Sequence, residues 1–329
     1  MEITYFYRKN TGSNYSIAKV FYTFNRYISE KKEVYMPESG NSLKGIIKNV
    51  LYTYRFRSKN GINHITGEIH YCSLVLPRKN TVLTIHDIGN LDKKNNSILV
   101  YLFLYVFCYY LPLRHLKYIT CVSECTKNEI IKKFPWAIGK IQVIPNPVDD
   151  LIRYSAKLFN EEKPRILQIG TAPYKNLNRT VEALKGVKCE LRIIGQLDTH
   201  ILQVLRDYGI EYTNNKGLTD QEIADEYSNC DIVSFPSLYE GFGMPVIEGF
   251  MSGRIVVTSN IEPMKTICGN GAILVDPLSV ESIRNGFLTA IFDASLRNQK
   301  IIEGRELAKN YLPISIKGRY VEFYEKMMK

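Results

Sequence analysis

Apolar residues recur along the chain at strand spacing and at helical spacing by turns. In the first half, ITYFY (3–7) precedes a segment whose apolar residues recur every three or four positions. The runs that follow are EVYM (33–36), a helical pattern over about 42–56, EIHYC (68–72) and NTVLTIHD (80–87). Alternating strands and helices are typical of a parallel sheet covered by helices on both faces. The pattern therefore predicts one doubly wound α/β domain over residues 1–150.

A second series of the same kind begins after PNPVDD (145–150), where two prolines and a polar stretch interrupt the pattern. Its strand-like runs are RILQIG, CELRIIG, DIVSF, RIVVTS and AILVDP, separated by helical patterns near 176–186, 198–208, 219–228, 244–252 and 279–292. We predict a second domain over 151–311 and a final helix over 312–329 that packs back toward the first domain. Ligands of doubly wound sheets bind at the carboxyl ends of the strands, so we expect both domains to face a central cleft.

Composition narrows the class of protein. A chain of 329 residues with 45% hydrophobic and 23% charged residues is large enough for two ordinary cores. The net charge of +10 favours an anionic partner such as a nucleotide, an anionic lipid surface or a nucleic acid. Seven cysteines without a C-x-x-C pair indicate buried thiols, and the N-terminus lacks the apolar core of a signal peptide. We therefore expect a cytoplasmic protein.

One stretch, residues 98–113, is membrane-like in composition. Its sixteen residues are fewer than the roughly 20 that span a bilayer, and they include four tyrosines and Pro112. A buried or partly exposed helix is the favoured interpretation. The basic residues near its ends, Lys93, Lys94, Arg114 and Lys117, suggest peripheral contact with the inner face of a membrane. The alternative is a helix packed within its own domain.

The segment 236–253, PSLYEGFGMPVIEGFMSG, carries the most specific pattern. Glu240 lies in a glycine-containing loop, and Glu248, separated from it by seven residues, lies one turn into a predicted helix. The start of that helix offers backbone N–H groups to an anion. Those groups belong to Phe242, Gly243 and Met244.

The Glu-x7-Glu pattern within EGFGMPVIE is similar to the signature of the retaining family-4 glycosyltransferases. The segments KGLTDQEIADEYSNCDIVSFPS, GRIVVTSN and GNGAILVDP resemble the same family on either side. The resemblance implies the GT-B fold, in which two Rossmann-like domains face a cleft. It also implies that Glu248 grips the ribose of the donor nucleotide and that Glu240 lies beside the donor sugar.

Three further segments resemble that family. In GTAPYKNLNRTVEAL (170–184), the resemblance implies that Lys175 reaches the donor diphosphate, while Thr171 stands where the commoner pattern has arginine. TGSNYSIAKV resembles the family's first glycine-containing loop, and TIHD resembles the segment that places a histidine beside the transferred sugar. The resemblance thus implies catalytic roles for His86, Lys175 and Glu240. The implied donor-binding residues are Gly12, Ser13, Gly170, Thr171, Phe242, Gly243, Met244 and Glu248.

The expected activity follows from this resemblance. It is retaining transfer of a sugar from a nucleotide-sugar donor to a saccharide, lipid-linked acceptor in bacterial surface polysaccharide assembly, of the O-antigen or capsule type. The sequence has no D-x-D triplet and no His/Cys cluster with ligand spacing, so we expect no metal and no cofactor besides the donor. Two alternatives stay open: a GT-B sugar-nucleotide epimerase or hydrolase, and a basic nucleic-acid-binding module, for which no recognised motif is present.

Overall fold

The computed structural model describes residues 1–9, 16–39, 42–91 and 97–329. It divides into two compact units: Met1–Pro147 with Pro313–Lys329, and Val148–Leu312. Within the described residues each unit holds a six-stranded sheet whose paired strands are all parallel. The α/β fold class predicted from the alternating pattern is confirmed.

The first sheet has the strand order β2-β1-β3-β4-β5-β6. Its strands are β1 (Ile3–Tyr7), β2 (Lys31–Tyr35), β3 (Ile62–Ile65), β4 (Thr81–Ile85), β5 (Tyr118–Cys121) and β6 (Ile141–Val143). The helices of this part are α1 (Ser16–Asn25), α2 (Leu43–Phe56), α3 (Ile98–His115) and α4 (Glu124–Lys133). Most of the strand residues are buried, because helices cover a parallel sheet on both faces.

One predicted strand of the first unit is wrong. The run EIHYC does not form a strand, and a 3-10 helix covers His70–Val75 instead. The chain turns directly after β3, where Gly67 and Glu68 both have positive φ angles, 145° and 55°. The apolar residues of EIHYC are buried because they pack beneath helices of this unit, and not because they join the sheet.

The second sheet has the order β12-β11-β10-β7-β8-β9. Its strands are β7 (Arg165–Ile169), β8 (Glu190–Ile194), β9 (Tyr212–Asn215), β10 (Ile232–Phe235), β11 (Ile255–Ser259) and β12 (Ile273–Val275). Its helices are α5 (Leu177–Ala183), α6 (Thr199–Asp207), α7 (Asp220–Asn229), α8 (Met244–Ser252), α9 (Met264–Cys268), α10 (Val280–Phe292) and α11 (Ala294–Ala308). The five predicted strands are present. The edge strand β9 and the helices α9 and α11 were not predicted.

The C-terminal helix α12 (Pro313–Met328) belongs to the first unit. Its buried side chains join the core that Ile3, Tyr5 and Tyr7 of β1 form with α1. A buried histidine of β3, His64, links the helix to the sheet: its Nδ1 lies 2.6 Å from the Tyr324 hydroxyl, and its Nε2 lies 2.7 Å from Thr84 Oγ1. Burial lowers the pKa of His64 to about 3, so the imidazole is neutral.

The apolar segment forms the continuous helix α3, whose middle, Leu104–Tyr110, has π-helical hydrogen bonding. The 18-residue helix has a mean hydropathy of 1.4, and by length and composition alone it is long enough to cross a bilayer. One such helix is weak evidence for a span. Only 22% of it is buried, mainly toward its C-terminal end, so most of its side chains lie at the surface.

Candidate active site

Lys175 and Glu240 meet at the carboxyl edge of the second sheet. Lys175 ends a 3-10 turn that follows β7, and its Nζ lies 2.6 Å from Glu240 Oε1 although the two residues are 65 positions apart. Their side chains are only 16% and 13% exposed. Gly170 has a φ of +92°, and a Cβ there would come within 3.0 Å of Lys175 Cγ. Glycine at this position therefore leaves room for the lysine stem to cross the backbone.

The backbone of this turn is held by buried polar side chains. Gln168 of β7 donates from Nε2 to the Lys175 carbonyl at 3.0 Å, and Ser234 of β10 donates to Gln168 Oε1 at 2.7 Å. Asn176, in the left-handed region at φ 62°, donates to the Pro236 carbonyl at 2.9 Å. Two neighbouring strands and the following loop thus fix where the lysine begins.

Glu248 is anchored from a different helix. Tyr227, buried on α7, donates its hydroxyl hydrogen to Glu248 Oε2 at 2.5 Å. Burial and the neighbouring Glu248 charge raise the pKa of Tyr227 well above its usual value, so the phenol stays protonated and remains a donor. Tyr227 was not identified from the sequence. The available signal was an aromatic residue in an otherwise polar helix, DQEIADEYSN, directly before β10.

The helix that carries Glu248 begins close to Glu240 in sequence. Gly243 precedes α8 with φ 110°, and Pro245 occupies the first turn, where its missing N–H costs no hydrogen bond. Phe242 is buried against Tyr311, with ring centroids 5.8 Å apart. Val246 donates to the Gly243 carbonyl at 3.0 Å and Pro245 has no N–H, so the donor of this helix start that has no partner within the helix is the Met244 N–H.

Thr171 lies at the carboxyl ends of β7 and β8. Gly195, directly after β8, has a φ of +146°, and a Cβ there would lie 2.7 Å from Thr171 Cγ2. The threonine side chain therefore packs against the backbone of the neighbouring strand end.

His86 stands at the end of β4 in the first unit. Its Nε2 lies 2.8 Å from the Thr66 carbonyl, and because a carbonyl only accepts, Nε2 carries the ring hydrogen and Nδ1 is the accepting nitrogen. Burial lowers the pKa of His86, which keeps the imidazole neutral. A Cβ on Gly67 would lie 2.8 Å from His86 Cδ2, so the glycine makes space for the ring.

Two further polar residues of the first unit, Asp87 and His70, have different surroundings. The Asp87 carboxylate accepts from the backbone N–H of Gly89 at 2.9 Å and so shapes the loop after β4. His70 is buried, and its Nδ1 donates to the Cys108 carbonyl of α3 at 2.8 Å, an arrangement typical of a structural histidine. Gly12 and Ser13 lie outside the described residues.

Two further findings concern metals and thiols. Among residues 1–9, 16–39, 42–91 and 97–329, no three His, Cys, Asp or Glu side chains are grouped as metal ligands would be. All seven cysteines lie in these ranges, none is in a disulfide, and six of them are buried.

Two sequence families match the chain, one on each half. Residues 153–307 match the family described as Glycosyl transferases group 1, and residues 44–150 match Glycosyltransferase Family 4. The chain is a glycosyltransferase, and its second half is of the group 1 type. The match includes Lys175, Glu240 and Glu248 in one half and His86 in the other.

Relatives of this glycosyltransferase family member include two mannosyltransferases. The O-antigen chain mannosyltransferase B of Escherichia coli is 26% identical over 218 residues, 59% of this chain and 57% of that one. The MMP alpha-(1->4)-mannosyltransferase of Mycolicibacterium hassiacum is 25% identical over 232 residues, 65% of this chain and 55% of that one. The aligned part is thus little more than half the length of either relative.

A solved structure shows the same fold over the whole chain. Anabaena HepE, in complex with UDP and glucose, superposes with a TM-score of 0.77 at 14% identity, covering 99% of this chain and 100% of that one. Together with the two parallel sheets, this likeness shows the GT-B fold that the Glu-x7-Glu resemblance implied.

Proposed function

We propose that the chain transfers a hexosyl group from a nucleotide sugar to a saccharide acceptor during assembly of a surface polysaccharide, with retention of the anomeric configuration. The observation that carries the proposal is the Lys175–Glu240 pair at 2.6 Å, next to the start of a helix that presents Glu248. All three residues lie in the half that matches the group 1 family. The mannosyltransferase relatives make a mannosyl donor the first to test.

The charges of the second unit suit a departing nucleoside diphosphate. Breaking the anomeric C–O bond builds negative charge on that leaving group, and donors fixed in advance stabilise it best. Lys175 would supply the cation and the start of α8 would supply N–H groups. Glu240 would hold the lysine until the donor arrives and then accept hydrogen bonds from sugar hydroxyls. Glu248, oriented by Tyr227, would bind the ribose.

His86 would serve as a neutral acceptor toward a sugar hydroxyl, through Nδ1. Its Nε2 hydrogen is committed to the Thr66 carbonyl. We do not assign Glu240 as the nucleophile of a two-step reaction, because its role here is to hold Lys175 and to bind sugar hydroxyls. We propose a front-face reaction, in which the leaving phosphate accepts the proton of the acceptor hydroxyl.

We further propose that the acceptor is lipid-linked and is met at the inner face of a membrane, where α3 provides peripheral contact. The first turns of α3 are exposed and apolar, and Arg114 and Lys117 near its end are exposed and basic. Of the other predicted basic neighbours, Lys93 and Lys94 lie outside the described residues.

A thermal-shift panel of UDP-glucose, GDP-mannose, ADP-glucose and a CMP sugar tests donor binding. A ligand at about 100 times its Kd adds about 2.7 kcal/mol to stability, so one nucleotide class should stand out. The product anomer is then assigned by NMR, in buffer containing excess EDTA. An inverted anomer would contradict the mechanism, and activity that required added Mg²⁺ or Mn²⁺ would contradict the metal-free site. Turnover of donor without any acceptor would favour an epimerase or hydrolase.

A further inference from the structure

Helix α2 carries a stripe of apolar residues on its outer side, in addition to Ile46 and Val50, which pack inward. The fully buried positions are Gly45, Asn49 and Thr53, which are small or polar. The exposed large apolar residues recur at helical spacing along the opposite side. They are Leu43, Ile47, Leu51 and Tyr54, with exposed fractions of 72%, 51%, 64% and 52%. A helix of a soluble domain ordinarily has the reverse arrangement.

Hydrogen bonds on the buried side fix this rotation. Asn49 accepts from the Glu38 backbone N–H at 3.1 Å and donates to the Glu38 carbonyl and the Tyr71 hydroxyl, each at 3.0 Å. Thr53, which donates to the Asn49 carbonyl of its own helix at 2.8 Å, also reaches out of the helix to Met36 Sδ at 3.5 Å. If the helix were rotated to bring the apolar stripe inward, these polar groups would lose their hydrogen-bond partners. Unsatisfied buried polar groups are costly. The stripe therefore stays on the surface.

The surroundings of the stripe are basic. Asp and Glu make up 33 of the 329 residues, yet neither 42–59 nor 97–117 contains one. The basic residues of the first segment are Lys44, Lys48, Arg55, Arg57 and Lys59. Lys48 pairs with Glu38 at 2.8 Å, and Glu38 is the one acidic partner recorded for them among the described residues.

Helices α2 and α3 lie on the same side of the first sheet. Ile46 and Val50 of α2 and Phe103 and Leu104 of α3 pack against one core, and the 3-10 helix His70–Val75 contacts both helices. The first turns of α3 add further exposed apolar side chains. They are Ile98, Leu99, Val100 and Leu102.

We propose that the outer stripe of α2 and the first turns of α3 form one docking surface for an anionic lipid bilayer. Apolar side chains would enter the headgroup boundary while the lysines and arginines meet lipid phosphates. A second copy of the chain fits this surface less well, because a symmetric contact would place the same basic groups opposite one another. The inference extends the proposed function, for which α3 alone was invoked.

Vesicle flotation of the full chain tests the surface. Wild type should float with phosphatidylglycerol-containing vesicles and much less with pure phosphatidylcholine. The double variant Leu43→Ser/Leu51→Ser should lose binding by on the order of tenfold or more, and Leu99→Ser should lose several-fold. The matched control is Leu158→Ser/Phe292→Ser, two residues of the second unit that are 95% and 76% exposed. It should float like wild type.

Several outcomes would overturn the proposal. Equal binding to both vesicle types, or undiminished binding of Leu43→Ser/Leu51→Ser, would exclude this surface. A concentration-dependent dimer that this variant abolishes, without vesicle binding, would assign the stripe to a second copy. Unfolding of the variant would contradict the exposed placement of its leucines.

The donor shift separates this proposal from the proposed function. Nucleotide-sugar thermal shifts should be the same in wild type and in the α2 variant. If no nucleotide sugar stabilises wild type while flotation behaves as expected, the transferase proposal fails and the docking surface stands.

Discussion

The carboxyl edges of the two sheets hold their polar groups in different ways. At the second sheet, charged side chains are held by side chains of other elements: Lys175 pairs with Glu240, and Glu248 accepts from the neutral Tyr227 hydroxyl. At the first sheet, His86 is held by a backbone carbonyl and by the space above a glycine, and it stays neutral. The difference is the one expected if, as proposed, charge is recognised at the second edge and hydroxyl groups at the first.

The same contrast extends into the interiors. The first unit buries uncharged polar networks, such as that of His64 with Tyr324 and Thr84. The second unit keeps a lysine and a glutamate largely out of water, where a pair gains little net stability after desolvation. A costly pair at a strand end is better explained by a ligand that needs it than by folding.

The largest effect we expect is loss of stability of the first unit at acid pH. Burial holds the pKa of His64 at about 3 and that of His70 at about 4, below the usual value near 6.5. Between these lowered pKa values and the usual value, each histidine is protonated in the unfolded chain and neutral in the folded chain. Stability is therefore fully present above about pH 6.5 and falls by about 1.4 kcal/mol per pH unit for each histidine as pH decreases.

Urea unfolding followed by Trp136 fluorescence measures this, because the chain has a single tryptophan and it lies in the first unit. His64→Asn should reduce the slope of the free energy of unfolding against pH by the contribution of one histidine. His200→Asn, at an exposed position of α6, is the control and should leave the slope unchanged. An unchanged slope in His64→Asn would mean that this histidine is protonated in the folded state.

The next largest effect concerns the space that Gly67 leaves for His86. Gly67→Ala would force the ring away from its position and strain a backbone with φ +145°. We expect about a tenfold loss of kcat/KM, corresponding to about 1.4 kcal/mol, with nucleotide binding unchanged. Gly209→Ala also adds a Cβ at a positive φ, +62°, with nothing within 4 Å of it, and should keep full activity. Equal losses of kcat/KM in both variants would show that His86 takes no part in the reaction.

A smaller effect should follow Tyr227→Phe, which removes the hydrogen bond to Glu248 and keeps the ring. If Tyr227 orients Glu248 toward the ribose, the donor KM should rise several-fold with little change in kcat. The corresponding 2′,3′-dideoxynucleotide lacks the ribose hydroxyls, so the variant and the wild type should bind it with equal affinity. Tyr324→Phe, a buried tyrosine of the first unit, is the control. A penalty that is the same with the dideoxynucleotide would make Tyr227 merely structural.

The sequence predicted most of the strands, including β2 with its polar residues KKEVY, and it missed two short ones. β3, INHI, and β9, YTNN, carry polar residues that satisfy no simple alternation, and EIHYC alternates but packs beneath helices. Helical spacing likewise predicted where α2 lies but did not predict its orientation. The spacing of apolar residues shows only that they share a face, whereas the hydrogen bonds of Asn49 decide which face points inward.

For the candidate site, local motifs located the groups and long-range contacts arranged them. Glu240 and Glu248 stand out because glycines and a helix start surround them. Lys175 could be placed at a strand end, but its pairing with Glu240 depends on β7 and β10 being neighbours in the sheet. Tyr227 reaches Glu248 from another helix, which no spacing within one segment reveals.

Steady-state kinetics of Lys175→Ala and Glu248→Ala test the donor site most directly. Lys175 faces charge that grows as the bond breaks. Removing its contact should cost about 1.5 to 3 kcal/mol of transition-state stabilisation and so lower kcat by about tenfold to a hundredfold. Glu248 should bind the ribose equally in the ground and transition states, so its loss should raise the donor KM with a smaller effect on kcat. If both variants fold normally and keep the wild-type kcat and donor KM, the donor does not bind at this edge of the second sheet.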